Sequence, residues 1–206
     1  MISILRAADR QRTDMDGITT WHCFSSGAHY DPANVSFGPV IACDEHQVAP
    51  GAGFDRHAHA RVELVSWVLG GALCHEDASG RVQTTRPGQV QYQFAGAGIE
   101  HVERNASTTQ PLHFVQLWLL TDVGTDTDDN EPAYEVTSPP RALQAGRFAV
   151  LRGAGEIDSS AAFVFVGAGR FSAAGHALRP GDSLRARSQV VPVTGAGELL
   201  VITVGA

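Results

Sequence analysis

Glycine or proline breaks this chain every several residues, with 22 glycines and 10 prolines among 206 positions. Proline has no N–H to give a helix interior, and glycine there costs about 1 kcal/mol relative to alanine. No stretch carries an apolar period of 3.6 residues over three turns, so long helices are not expected. The segments between the breaks are short and rich in β-branched and aromatic residues. "VELVSWVL" (Val62–Leu69), "QVQYQF" (Gln89–Phe94), "HFVQLWLL" (His113–Leu120), "FAVLR" (Phe148–Arg152), "AAFVFVG" (Ala161–Gly167) and "ELLVITV" (Glu198–Val204) all read as strands. "HEDASGRV" reads as a hairpin turn with Gly80 at the left-handed position. Many short strands at regular spacing predict an all-β sandwich or barrel architecture.

One boundary stands out. Residues 121–132, within "TDVGTDTDDNEPAY", are acidic and poor in apolar side chains after a strongly apolar strand, and read as a linker. Beyond it "LRPGDSLRARS" (Leu178–Ser188) echoes "TRPGQVQYQF" (Thr85–Phe94), each with Arg-Pro-Gly leading into an extended run. The echo predicts two related β units, residues 1–120 and 133–206.

Composition narrows the chemistry. The chain has no lysine, which removes Schiff-base lysines, a P-loop lysine and a Ser-Lys dyad at once. A formal net charge of −7 without a basic run argues against nucleic acid as a partner. Cys23, Cys43 and Cys74 are odd in number and form no CxxC, which points to a reducing compartment and inert thiols. The opening "MISILRAADRQRTD" lacks the apolar core of a signal peptide, and no apolar run reaches membrane-spanning length. A cytoplasmic protein with no membrane partner is expected.

The chemistry concentrates in "DRHAHARVE" (Asp55–Glu63). Side chains two apart on a strand share a face, so His57 and His59 point the same way, and two neutral imidazoles there can reach one divalent ion. "GAGIEHVERN" (Gly96–Asn105) repeats the device with His101 and Glu103. If the two segments are neighbouring strands facing an interior, three imidazoles and a carboxylate converge. Such a set suits Fe(II), Mn, Co, Ni or Cu better than Ca or Mg. A lone HxH pair is a weak signal, and HxE is weaker; their joint presence is what makes the pattern specific. The other histidines, His22, His29, His46, His75, His113 and His176, have no partner at ligand spacing and read as surface or packing residues. Trp67 and Trp118 read as core, Gln91 and Gln93 as one strand face bordering the cavity, and Glu63 as a strand-edge charge beside Arg61.

Gly51, His57, His59, Glu63 and Gly70 fit G-x5-H-x-H-x3-E-x6-G, the first motif of the cupin superfamily. Gly98, His101 and Asn105 match the end of its second motif, with Gly96 in place of the usual proline and the leading glycine displaced to Gly88. Within cupins the run "GFDRHAHARVELVSWVLGGALCHEDASGRVQTTRPGQVQYQFAGAGIEHVE" resembles the pirin family, which includes bacterial quercetinase-like members. "WHCFSSGAHYDP" (Trp21–Pro32) and "LHFVQLWLL" (Leu112–Leu120) extend the resemblance over nearly all of the first 120 residues, and it thins after the linker.

The resemblance implies a bicupin, two β-barrel domains with few short helices, holding metal in the N-terminal barrel only. It implies one divalent transition metal on His57, His59, His101 and Glu103, Fe(II) first, with Ni, Co, Mn, Cu or Zn as substitutes. Many other cupins use the first-motif glutamate, so Glu63 stands as an alternative ligand or as support for the ligands. The activity implied is that of a quercetin 2,3-dioxygenase: Glu103 accepts the proton of a flavonol 3-hydroxyl, and dioxygen opens the ring with release of carbon monoxide. The alternative is a non-catalytic, metal-containing regulatory module that binds another protein. A monomer is expected. One departure is Arg56-His57-Ala58-His59 where pirins read Pro-His-Pro-His; Arg56 is expected to pair with Asp55 rather than to steer an anionic substrate.

Overall fold

The computed structural model describes residues 1–121 and 131–204; most of the expected linker, residues 122–130, lies outside the described residues. The chain is all-β, and the one helical element among the described residues is a single 3-10 turn, Ala7–Asp9. No helix there is long and apolar enough to cross a membrane. Each strand expected above is present, several of them longer than expected; "AAFVFVG" runs on to Ala173 and "ELLVITV" begins at Val191. The hairpin joining Leu73–Asp77 to Val82–Thr85 turns at Gly80, whose φ of 82° requires a residue without a Cβ.

Three antiparallel sheets account for the strands of the described residues. A four-stranded sheet runs in the order Gly53–His59, Ile99–Asn105, Leu73–Asp77, Val82–Thr85. A seven-stranded sheet runs Ala133–Thr137, Val90–Phe94, Val62–Gly70, Leu112–Leu120, Val40–Val48, Ile18–His22, Gln11–Met15. Side chains of these two sheets meet face to face. An eight-stranded sheet is centred on the long pair Ala161–Ala173 and Val191–Val204. Two strands cross the expected boundary: Ile2–Leu5 pairs with Ser183–Arg187, and Ala133–Thr137 pairs with Val90–Phe94.

The largest apolar core lies between the seven- and eight-stranded sheets. There Val65, Trp67, Tyr92 and Leu117 pack against Phe148, Phe163, Phe165 and Ile202. Val62–Val68 is therefore buried at every position: odd residues face this core, and even residues face the space between the seven- and four-stranded sheets. Among the described residues that second space holds two small apolar clusters, at Ile18/Val48/Phe114 and at Val62/Leu64/Ala95. Its middle is polar, and this polar interior is where the histidines converge.

Candidate metal centre

Gly53–His59 and Ile99–Asn105 are antiparallel neighbours with His57 opposite His101, the adjacency that the HxH and HxE spacing requires. His57, His59 and His101 each place one ring nitrogen within 4.8 Å of the others. His57 Nδ1 lies 2.7 Å from the Asp55 carbonyl and donates to it, which leaves Nε2 with its lone pair. His75 Nε2 lies 3.0 Å from His101 Nδ1 and 3.3 Å from the Gln93 amide nitrogen, and with His101 Nδ1 as the donor its Nε2 is free for a metal. These two Nε2 atoms face one another at 2.9 Å. His59 Nε2 is buried with no protein partner at all.

Burial holds the imidazoles of His59 and His101 down, to about 4 and about 2, and the neighbouring histidines add to the effect. Three imidazole nitrogens converge here, and the His59 nitrogen, orphaned in the interior, is costly to bury without a partner. The donor set fits a divalent transition metal.

Glu103 sits on the same strand as His101, and its side chain is buried. It lies outside the tight histidine trio, but its carboxylate is fully engaged: Gln91 Nε2 donates to Oε1 at 2.6 Å and Gln116 Nε2 to Oε2 at 2.9 Å. Burial raises its pKa, and the two amides pull against that rise. Gln91 and Gln93 thus border the interior, as the alternation of their strand implies. Asn105, the last residue of the second motif, donates to the backbone carbonyls of Val48, Ala49 and Gln110, anchoring the end of the ligand strand.

Glu63 is not brought to the cluster. The turn through Ala60 and Arg61, with Arg61 at a left-handed φ of 58°, resets the alternation after His59. Glu63 lands among the odd residues of its strand, accepts from Tyr92 Oη at 2.7 Å and from the Gln144 N–H at 2.9 Å, and is fully buried beside the second unit. It is not a strand-edge charge. The Asp55–Arg56 pair does not form either: Asp55 bonds Arg104 at 3.4 Å, and Arg56 lines a cavity.

Two residues read as bland belong to the site. His75 lies directly opposite Glu103 and stacks on Tyr134 with centroids 4.0 Å apart. Trp118, read as core, is only half-buried and sets its ring edge-on to His59 at 4.7 Å. The sequence signal for His75 is its place two residues before Asp77 on a short strand, which is too common to single it out. A cavity of about 700 Å³ opens against the cluster, lined by Phe54, His57, Glu103, Gln116 and Trp118.

The profile of the Pirin family matches residues 5–119. A Mycobacterium tuberculosis protein is 45% identical over 121 residues, 59% of this chain and 50% of that protein. The Escherichia coli K12 quercetin 2,3-dioxygenase is 32% identical over 122 residues, 59% of this chain and 53% of the enzyme. The chain spans about half the length of these curated relatives. Among solved structures, the E. coli bacterial pirin YhhW in complex with nickel(II) superposes with a TM-score of 0.86 over 100% of both chains at 24% identity, a likeness of cupin fold.

Proposed function

The chain belongs to the Pirin family, and on that premise we propose that it is a metal-dependent dioxygenase acting on flavonols of the quercetin type. The observation that carries the reading is the orphaned Nε2 of His59, buried beside the Nε2 atoms of His57 and His101, which stand 2.9 Å apart. These three imidazoles would hold the metal, with Glu103 as the fourth ligand. Its Gln91 and Gln116 donors orient the carboxylate as second partners of ligands commonly do. Bound there, a transition metal supplies a Lewis acid and a redox-capable centre for dioxygen chemistry.

The residues of the chain supply the rest. Glu103, whose affinity for a proton is raised by burial, takes the proton of the flavonol 3-hydroxyl, while the two glutamine amides keep its anionic form within reach. His75 holds His101 in the tautomer that ligates. Phe54, Trp118 and the ring of His46 give the cavity flat walls suited to a planar aromatic. Reported on the E. coli relative, the name quercetin 2,3-dioxygenase supports this substrate class.

The test is aerobic incubation of metal-loaded protein with quercetin. The flavonol absorption band should bleach, and His101→Ala should not bleach it. Bleaching at the same rate by both proteins would end the proposal.

A further inference from the structure

The lumen face of the seven-stranded sheet carries a row of polar side chains in continuous cross-strand register: His22 opposite Asp44, Asp44 opposite Gln116, Gln116 opposite Ser66, Ser66 opposite Gln91. Residues directly opposite in an antiparallel pair share a face, so this row is one strip. Its Gln116 and Gln91 end grips Glu103 at the metal centre. Its His22 and Asp44 end serves no part of that centre, yet Thr13, His22 and Asp44 line the same cavity as His57 and Glu103.

The far end is wired in one direction. His22 Nδ1 lies 2.9 Å from Asp44 Oδ1, and a carboxylate only accepts, so with the imidazole neutral Nδ1 carries the proton. His22 Nε2 then holds a lone pair 3.0 Å from Thr13 Oγ1, and the Thr13 hydroxyl donates its proton to it. Thr13 is left facing the cavity with lone pairs alone, and the second Asp44 oxygen is likewise an acceptor. The aromatic rings of Phe54, His46 and Trp118 line the same cavity, with His46 and Phe54 edge-on at 5.2 Å.

We propose that Thr13, His22 and Asp44 form a second recognition site in this cavity, which accepts a hydrogen bond from a hydroxyl at the end of the aromatic ligand remote from the metal. The inference deepens the flavonol reading and rests on it. At Thr13 and Asp44 a ligand hydroxyl finds acceptors, whereas a ring position without a donor leaves them unsatisfied, so polyhydroxylated aromatics are favoured there.

Binding rather than turnover reads this out. Nickel(II)-loaded protein is titrated without oxygen with quercetin, which carries further ring hydroxyls, and with 3-hydroxyflavone, which has only the one expected to meet the metal. The wild type should prefer quercetin. Thr13→Val, which keeps the side-chain shape, should narrow that preference by about tenfold, the weight of one good hydrogen bond. Thr13→Ser should restore it, and Asp44→Asn should narrow it again. An unchanged preference in Thr13→Val overturns the second site and leaves the flavonol reading standing. Failure of the wild type to bind either probe overturns the flavonol reading and this site with it.

Discussion

Gln91 is predicted to be the main external support of Glu103, and the prediction can be made quantitative. Both side chains are about 2% exposed, and the amide donates to Glu103 Oε1 at 2.6 Å while its own Oε1 accepts from Thr85 at 3.3 Å. Gln91→Leu keeps the volume but removes a hydrogen bond to a buried charge, and such bonds carry about 1.5–3 kcal/mol. The long Thr85 contact adds a few tenths. In metal-free protein at alkaline pH, where the carboxylate form of Glu103 is most favoured, urea unfolding should show a loss of about 2–3 kcal/mol. Glu103→Gln removes the charge, so Gln91→Leu in that background should cost only about 1 kcal/mol, the weight of a neutral bond. The double-mutant cycle then closes with a coupling of about 1–2 kcal/mol. Lowering the pH until Glu103 is protonated should shrink that coupling. A cycle that closes to within about 0.3 kcal/mol at the higher pH would refute the argument, since Gln91 would then be packing and nothing more.

Three further outcomes follow from the same geometry. His75→Phe keeps the ring against Tyr134 but removes the acceptor of His101 Nδ1, so nickel(II) affinity measured by calorimetry should fall about 10- to 100-fold. Glu63→Gln should leave nickel affinity within about twofold and instead lower stability by about 1–3 kcal/mol, because its partners are Tyr92 and the Gln144 N–H rather than the cluster; a large loss of metal affinity would show that Glu63 is a ligand. Burial holds His46 down to about 4, from an ordinary value of 6.5. A depressed folded value means that its contribution is complete above about pH 6.5 and is lost as pH falls through about 4. That contribution amounts to about 3 kcal/mol. His46→Gln should flatten the fall in urea midpoint across this window, and an unchanged slope would show that another group governs it.

Much of the site was legible because a strand has a period of two. His57 and His59 must share a face, His101 and Glu103 must share a face, and Gln91 with Gln93 must share another. Once the glycines and prolines confine the chain to short strands, those statements hold whatever the rest of the fold does. The family resemblance then joined the two ligand strands, and the structure sets His57 opposite His101.

Alternation says nothing across a turn. Whether Glu63 continues the face of His59 depends on the backbone at Ala60 and Arg61, and the left-handed Arg61 sends it to the opposite side. Nor does a local pattern say which strands become neighbours. His75 against His101, and the row from His22 through Asp44, Gln116 and Ser66 to Gln91, join residues up to 94 positions apart across five strands. Ile2–Leu5 and Ala133–Thr137 each complete a sheet built mainly by the other half of the chain. The sequence by itself determined the β architecture and the facing of the ligand pairs, which depend on side-chain alternation within one strand. Only the tertiary structure decided the supporting partners, the face of Glu63 and the polar strip, because those depend on turn conformation and on register between strands, which no short stretch of sequence encodes.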